Sequence, residues 1–252
     1  MTTISVVILC WNSEKRLERL FPSLRETIAP YNAEVILVDN GSEQEVEPFA
    51  GEYGLPGLKV LRLRRNRGVA YGRNRGIEAA KGEYVWILDD DTEVNPSALA
   101  TMLTHMKQNP KCGVCGCRLT DADGIIQESY KPFPGLGLKL RNILRIKSKS
   151  PYLAELAESD IVHPVYLIGA CQLIRHEVIL KTGLLDECIF YGPEDADFCL
   201  RVVKAGYTVD YLTTATIIHH WRRLTTTSPF STMGRKHIKA LFHFWHRHKR
   251  FF

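Results

Sequence analysis

The chain has 252 residues, 45% apolar and 24% charged, which suits one large α/β domain with a substantial core and needs no disulfide staples. Seven cysteines, an odd number lying mostly inside apolar stretches, favour a reducing cytoplasm over secretion. No leader opens the sequence, and no apolar run approaches the roughly 20 residues that span a bilayer, so a soluble or peripheral protein is expected. The net charge is +5, and residues 219–252 hold eight Lys/Arg and no Asp/Glu, leaving 25 basic against 28 acidic side chains in residues 1–218: the basicity belongs to a tail.

The first 90 residues read as strand–helix repeats. "ISVVIL" (4–9) is a continuous apolar, β-branched run of the kind buried in a parallel sheet. Asn12 or Ser13 can cap a helix in which Leu17, Leu20, Phe21 and Leu24 share one face. "EVILVD" (34–39), "LKVLRL" (58–63) and "YVWIL" (84–88) are three more strands, and "GVAYGRNRGIEAAKG" (68–82) is a helix stopped at Gly82. This alternation predicts a parallel, doubly wound sheet, in which ligands lie outside the carboxyl ends of the strands. Polar residues follow three of the strands there: Asn12, then Asp39 to Ser42, then Asp89 to Asp91. One nucleotide-sized ligand could touch all three groups. A Walker-type loop and a G-x-G-x-x-G fingerprint are both missing from this half, which counts against P-loop and dinucleotide enzymes.

Side chains alternate on an extended segment, so Asp89 and Asp91 point one way and Asp90 the other. Two adjacent carboxylates suit a hard divalent cation, Mg²⁺ or Mn²⁺, shared with a substrate diphosphate; the simpler reading is a solvated acidic turn capping the helix near "NPSALATML". Asp39 at a strand end can accept from a pyrimidine imide N–H or a ribose hydroxyl, although Asp-Asn-Gly-Ser is also ordinary turn chemistry.

Beyond residue 120 the pattern is less regular. "DADG" (121–124) is a hairpin turn candidate, and "LGLKLRNILRIKSKSP" (136–151), with five basic residues and no acid, is an expected excursion. A strand "PVYLIGACQLIR" (164–175), a helix "HEVILKTG" (176–183) and a second acidic cluster, "GPEDADFCLRVVKAG" (192–206), follow. "CGVCGC" supplies one C-x-x-C but no second, so buried free thiols are favoured over zinc. Asp197 and Arg201 are spaced as an i,i+4 pair. In the tail, Ile238, Leu241, Phe242 and Trp245 fall at helical spacing among basic residues. Such a helix fits an anionic membrane surface or packs on the domain. No linker separates two independent domains.

The order "VVILCWN", "EVILVDNGS", "NRGVAYGRNRGI", "YVWILDDDTEV" and "LIGACQLIRHEVILKTGLLDECIFYGPEDADFCLRVVKAGY" resembles glycosyltransferase family 2, the inverting GT-A enzymes, and within it the bacterial rhamnosyltransferase-like branch that builds cell-surface polysaccharide. The resemblance spans residues 4 to about 220. It implies a GT-A catalytic domain over residues 1–218, with a Rossmann-like, mostly parallel sheet, a sugar-nucleotide half to about residue 120, an acceptor half after it, and the basic tail at 219–252. It further implies that Asp39, with Trp11 and Asn12, lines the base and ribose pocket. Asn66, Gly68, Arg73 and Asn74 stand beside the diphosphate. Asp91 binds the metal, Asp89 contacts ribose or metal-bound water, and Asp90 supports the nucleotide site. Glu194 and Asp195 form the acceptor-side pair, with Asp195 as general base, and His219 rather than His220 faces the metal or diphosphate. The implied partners are a nucleotide-diphosphate sugar, dTDP-rhamnose or a UDP-sugar, and a glycan or lipid-linked acceptor at the inner face of the cytoplasmic membrane. No nucleic acid is expected. Residues 131–163 match nothing in the family that can be carried over residue by residue.

Two other classes compete. A nucleotidyltransferase would also use aspartates and Mg²⁺ but needs a glycine- and lysine-rich phosphate loop near the N-terminus. A binding module gripping nucleic acid through the tail would bind polynucleotide with strong salt dependence.

Overall fold

A computed structural model describes residues 3–137, 159–220 and 231–249. Strand β1 (Thr3–Cys10) lies at the centre of the first half, parallel to β2 (Asn32–Asp39) on one side and to β4 (Tyr84–Asp89) on the other, with Val7 level with Ile36 and Ile87. β3 (Lys59–Arg62) extends the parallel set beyond β2. The chain builds outward from β1 to β3 and then returns to place β4 on the other side of β1. Their carboxyl ends therefore flank the point where the strand order reverses, the usual ligand crevice of such sheets.

Past β4 the sheet becomes mixed. The order continues through β11 (Cys171–Arg175), β6 (Cys112–Thr120), β12 (Thr208–His219) and β5 (Thr92–Glu93). β11 is antiparallel to both β4 and β6, whereas β6 and β12 are parallel. The turn expected at "DADG" connects β6 to the short β7 (Ile126–Gln127). The single strand read over 164–175 is two: β10 (Tyr166–Leu167) pairs with β8 (Tyr130–Lys131), and β11 joins the main sheet. Between the two, Gly169 lies against the buried Arg73 guanidinium, where a Cβ would come 2.2 Å from Nη1. β9 (Ile161–Val162) lies antiparallel to β12.

Two apolar layers cover the sheet. On one face α1 (Glu14–Ile28) and α4 (Pro96–Gln108) bury Leu17, Leu20, Phe21, Leu24, Met102 and Met106 against the inward side chains of β1 and β4. Asn95 caps α4 by accepting from the Ala98 N–H, while Ser13, at the start of α1, accepts instead from the Trp11 N–H. The short α2 (Glu47–Gly51) lies before β3. The other face holds α3 (Val69–Ala79), α5 (His176–Thr182), α6 (Glu194–Lys204) and α7 (Thr232–His248), with Ile77, Val178, Phe198, Val202, Phe244 and Trp245 in its core. α3 comes so close to β1 that a Cβ at Gly76 would lie 2.4 Å from the Val7 side chain.

The tail helix packs onto the domain. Ala240, Leu241, Phe244 and Trp245 are buried, and the Trp245 indole donates to the Pro134 carbonyl at 2.9 Å. Ile238 and Phe242, expected on the same apolar stripe, are exposed instead. The buried stripe is rotated because His243, Arg247 and His248 turn inward to Asp186 and Asp197. Most of the basic stretch 136–151, and residues 221–230 of the tail, lie outside the described residues. Cys112, Cys115 and Cys117 are buried in β6 and form no disulfide.

Candidate active site

The carboxyl ends of β1, β2 and β4 meet at one edge of the sheet. Leaving β1, Trp11 is half exposed and Asn12 adopts a left-handed conformation (φ 49°) tolerated by asparagine. The Asn12 side-chain carbonyl accepts from the Glu43 N–H, and its own N–H donates to Ser42 Oγ, so the first two loops are fastened together. Asp39 is fully buried and accepts from the Ser42 N–H at 2.8 Å; its other oxygen makes no hydrogen bond and has Arg62 Nε 3.7 Å away. Asn40 fastens this loop to the next one by donating to Asn66 Oδ1 and the Gly68 carbonyl. Gly68 opens α3 at φ 94°, where a Cβ would stand 2.5 Å from the Phe190 carbonyl oxygen. The entry to α3 is thus pressed against the loop that leads into α6.

The three aspartates separate as their alternation predicts. Asp89 and Asp91 face the same way as His219, and one ligand atom from each lies within 4.8 Å of the others. Asp90 turns to the opposite side, where it is buried beside Arg16 Nη1 at 3.2 Å. Burial pushes its carboxyl up to about 7 despite Arg16. Its expected place at the nucleotide site therefore becomes one beneath α1. Burial also works against the Asp91 carboxylate, but the hydrogen bond and charge of His219 outweigh it and hold Asp91 below its ordinary value. The same three aspartates overcome burial to raise the His219 imidazole.

Gln127, which sequence reasoning missed, orients His219. Its amide nitrogen donates to the His219 carbonyl at 2.8 Å, which leaves Oε1 to accept from Nδ1 at 2.8 Å. Nδ1 therefore carries the hydrogen, and Nε2 faces Asp91 at 3.3 Å. Two carboxylates and an imidazole oriented from behind fit a divalent cation, with the imidazole favouring Mn²⁺ over Mg²⁺. His220 instead turns to Glu93.

Arg73 joins this cluster to the second one. Its side chain is nearly inaccessible, and Nη2 donates to Asp89 Oδ1 at 2.5 Å and to the Gly169 carbonyl, while Nη1 lies 3.5 Å from Glu194. The expected diphosphate contact at Arg73 thus becomes an internal bridge, because both terminal nitrogens already face acidic or carbonyl oxygens. Asn74 is also internal: its amide holds Leu185 and Glu187. At the start of α6, Glu194 is buried, one of its oxygens has no partner, and its carboxyl is raised to about 7 by burial and by Asp195 against the pull of Arg73. Asp195 remains partly accessible and accepts from the Ala196 N–H; burial raises its carboxyl above the ordinary range. Asp197 and Arg201 form the expected i,i+4 pair at 2.9 Å.

A Rossmann-like sheet with a carboxylate–imidazole cluster at its switch point and a second acidic pair bridged to it is the architecture of a GT-A glycosyltransferase. The chain belongs to glycosyl transferase family 2, whose model matches residues 5–182. It is 26% identical, over 97% of its length and 85% of the relative's, to the N-acetylglucosaminyl-diphospho-decaprenol L-rhamnosyltransferase of Mycobacterium tuberculosis. It is 27% identical, over 98% and 81%, to the colanic acid biosynthesis glycosyl transferase WcaA, so described as putative, of Escherichia coli. Its fold is shared with GalNAc-T7 bound to UDP, GalNAc and Mn²⁺ (TM-score 0.71, 20% identity, 99% of this chain and 50% of that one). It is shared also with the mannosyltransferase PcManGT of Pyrobaculum calidifontis bound to GDP-Man and Mn²⁺ (TM-score 0.63, 18% identity, 88% and 58%). The chain spans about half the length of these two solved proteins. It is a glycosyltransferase, which sets aside the nucleotidyltransferase and binding-module readings.

Proposed function

We propose that the chain is an inverting, metal-dependent enzyme that moves a sugar from dTDP-rhamnose or a UDP-sugar to a hydroxyl of a lipid-linked cell-surface glycan. The observation that carries this reading is the Arg73 bridge, which brings Asp89 and the Glu194–Asp195 pair to one cleft although they lie about a hundred residues apart in sequence. An inverting transfer is a single in-line displacement with a base on one face of the anomeric carbon and the diphosphate leaving from the other. Asp195, the accessible member of its pair, takes the proton of the acceptor hydroxyl. The acceptor oxygen then bonds to the anomeric carbon as the bond to the diphosphate oxygen breaks. Asp89, Asp91 and His219 would hold the divalent cation, which when bound neutralises charge on the diphosphate. Trp11 offers a ring for the base to stack on, and the Asp39 loop lies beside it.

The donor and acceptor rest on likeness to the mycobacterial rhamnosyltransferase, whose name gives a diphospho-decaprenol acceptor. On this reading the enzyme works at the cytoplasmic face of the membrane, and the exposed Ile238 and Phe242, with Lys236 and Lys239 on the same helix, approach the lipid. Sugar nucleotides tested with Mg²⁺ or Mn²⁺ for donor hydrolysis and thermal stabilisation identify the donor without the acceptor. If no sugar nucleotide stabilises the protein or is hydrolysed with either ion, the proposal is wrong.

A further inference from the structure

At the opposite end of β12 from His219 stands a second cluster of metal-binding side chains, unconnected to sugar transfer. One ligand atom from each of His105, Cys112 and Asp210 lies within 4.8 Å of the other two, and all three residues are buried. Four segments meet there: the last turn of α4 with His105, the start of β6 with Cys112, the start of β12 with Asp210, and the residue after β9, His163. Asp210 is shared between two imidazoles, His105 Nε2 at 2.7 Å from Oδ2 and His163 Nδ1 at 2.9 Å from Oδ1. Asp210 is level with Cys115 and Ile218 with Thr120 on β6, with a bulge in β12 between them, so at an ordinary strand rise this cluster lies roughly 20 Å from His219.

We propose that His105, Cys112 and Asp210, completed by His163, form a structural zinc site. The donor set is two imidazole nitrogens, a thiolate and a carboxylate, the mixture that a borderline-soft tetrahedral ion takes and that Mg²⁺ does not. Its charge balances: binding releases to solvent the Cys112 proton and displaces the hydrogen that His105 Nε2 shares with Asp210, and one thiolate plus one carboxylate neutralise the divalent ion in an interior that would otherwise penalise it. The Asn109 amide nitrogen, which also donates to the His105 carbonyl, stands 3.2 Å from His105 Nδ1 and holds the ring in place. His163, two-thirds exposed, leaves a path for the ion and can swing from the far carboxylate oxygen to close the shell.

In another group with ligand chemistry, Asp186, Cys188 and His243, both carboxylate oxygens are already taken: Oδ1 accepts from the Cys188 N–H, and Oδ2 faces His243 and Arg247. The expected single C-x-x-C is thus misleading as a zinc signal: Cys112 takes its partners from α4, β12 and residue 163, and Cys115 is not one of them.

The test uses the full chain, exposed to zinc and then gel-filtered, with metal measured by mass spectrometry and Co²⁺ uptake followed through the thiolate-to-cobalt absorption. About one zinc per chain is expected in the wild type and in Asp91→Ala, falling below about 0.1 in Cys112→Ser, with the cobalt–thiolate absorption lost in that variant alone. His163→Asn, a substitution at an exposed side chain that leaves the core intact, weakens zinc binding at least about tenfold. A wild-type chain that retains no zinc and gives no cobalt–thiolate absorption overturns the proposal. Zinc that survives Cys112→Ser and disappears in Asp91→Ala overturns it too, by placing the ion among the catalytic carboxylates.

Discussion

Asp89 and Asp91 share a face of the chain, yet each meets a different third group, and that difference assigns their work. Asp89 is held by the buried Arg73, whereas Asp91 meets His219, whose ring is fixed by Gln127. Asp91→Ala removes the partner of a buried imidazole and, on the proposed mechanism, a metal ligand, so transfer is expected to fall by about 10²–10³-fold or more, together with metal-dependent donor binding. On the proposed mechanism Asp195→Asn keeps the shape of the base and cannot take a proton, so transfer is expected to fall about 10²–10⁴-fold while donor affinity stays near wild type. Paired turnover and donor-binding measurements separate the two, and near wild-type transfer in Asp195→Asn removes that residue as base. Gln127→Leu touches no substrate. It frees the imidazole to rotate and take the other tautomer, and is expected to weaken Mn²⁺ activation by about 10–100-fold, with maximal rate recovered at saturating metal. An unchanged Mn²⁺ titration would mean that Gln127 does not orient the ring.

At the scale of elements, α7 ties the tail to the acceptor side of the cleft. His243 and Arg247 reach Asp186, His237 lies 3.1 Å from the Tyr191 carbonyl, and Lys236 stands over the Phe190 ring, all on the segment that runs into Glu194 and Asp195. The helix is held by Phe244 and Trp245. Trp245→Ala removes a buried ring and its bond to Pro134, and is expected to cost about 3–5 kcal/mol in denaturant unfolding. Phe242→Ala, on the exposed face of the same helix, stays within about 0.5 kcal/mol. Equal losses from the two would show that the helix is not seated as described. The tail's helical period was legible in its sequence, but its buried stripe was not. Asp186 and Asp197, far away in the chain, supply the partners that pull His243, Arg247 and His248 inward and rotate Phe242 out.

For the whole molecule, the buried Glu194 carboxyl makes stability depend on pH. Glu194 titrates near 7 in the folded protein against an ordinary 4.5, so the folded state holds more protons than the unfolded one between those values, and stability falls as pH rises through that window. Glu194→Gln cannot ionise. Its melting temperature relative to wild type should rise between about pH 5 and about pH 8, and a constant difference across that range would refute the shift. The sequence by itself determined the alternating strands and helices of the first half, the placing of Asn12, Asp39 and Asp89 at strand ends, and the opposite facing of Asp90. Each follows from a local period or an apolar run. Tertiary structure alone decided that Arg73 lies between the two acidic clusters instead of facing phosphate, and that Asn74 faces the protein's own loop. It also decided that Gln127 orients His219 and that His105, Cys112 and Asp210 converge. These partners sit on segments 16 to 121 residues apart, joined by sheet register and helix packing, and local sequence carries no trace of a contact that only the closed sheet creates.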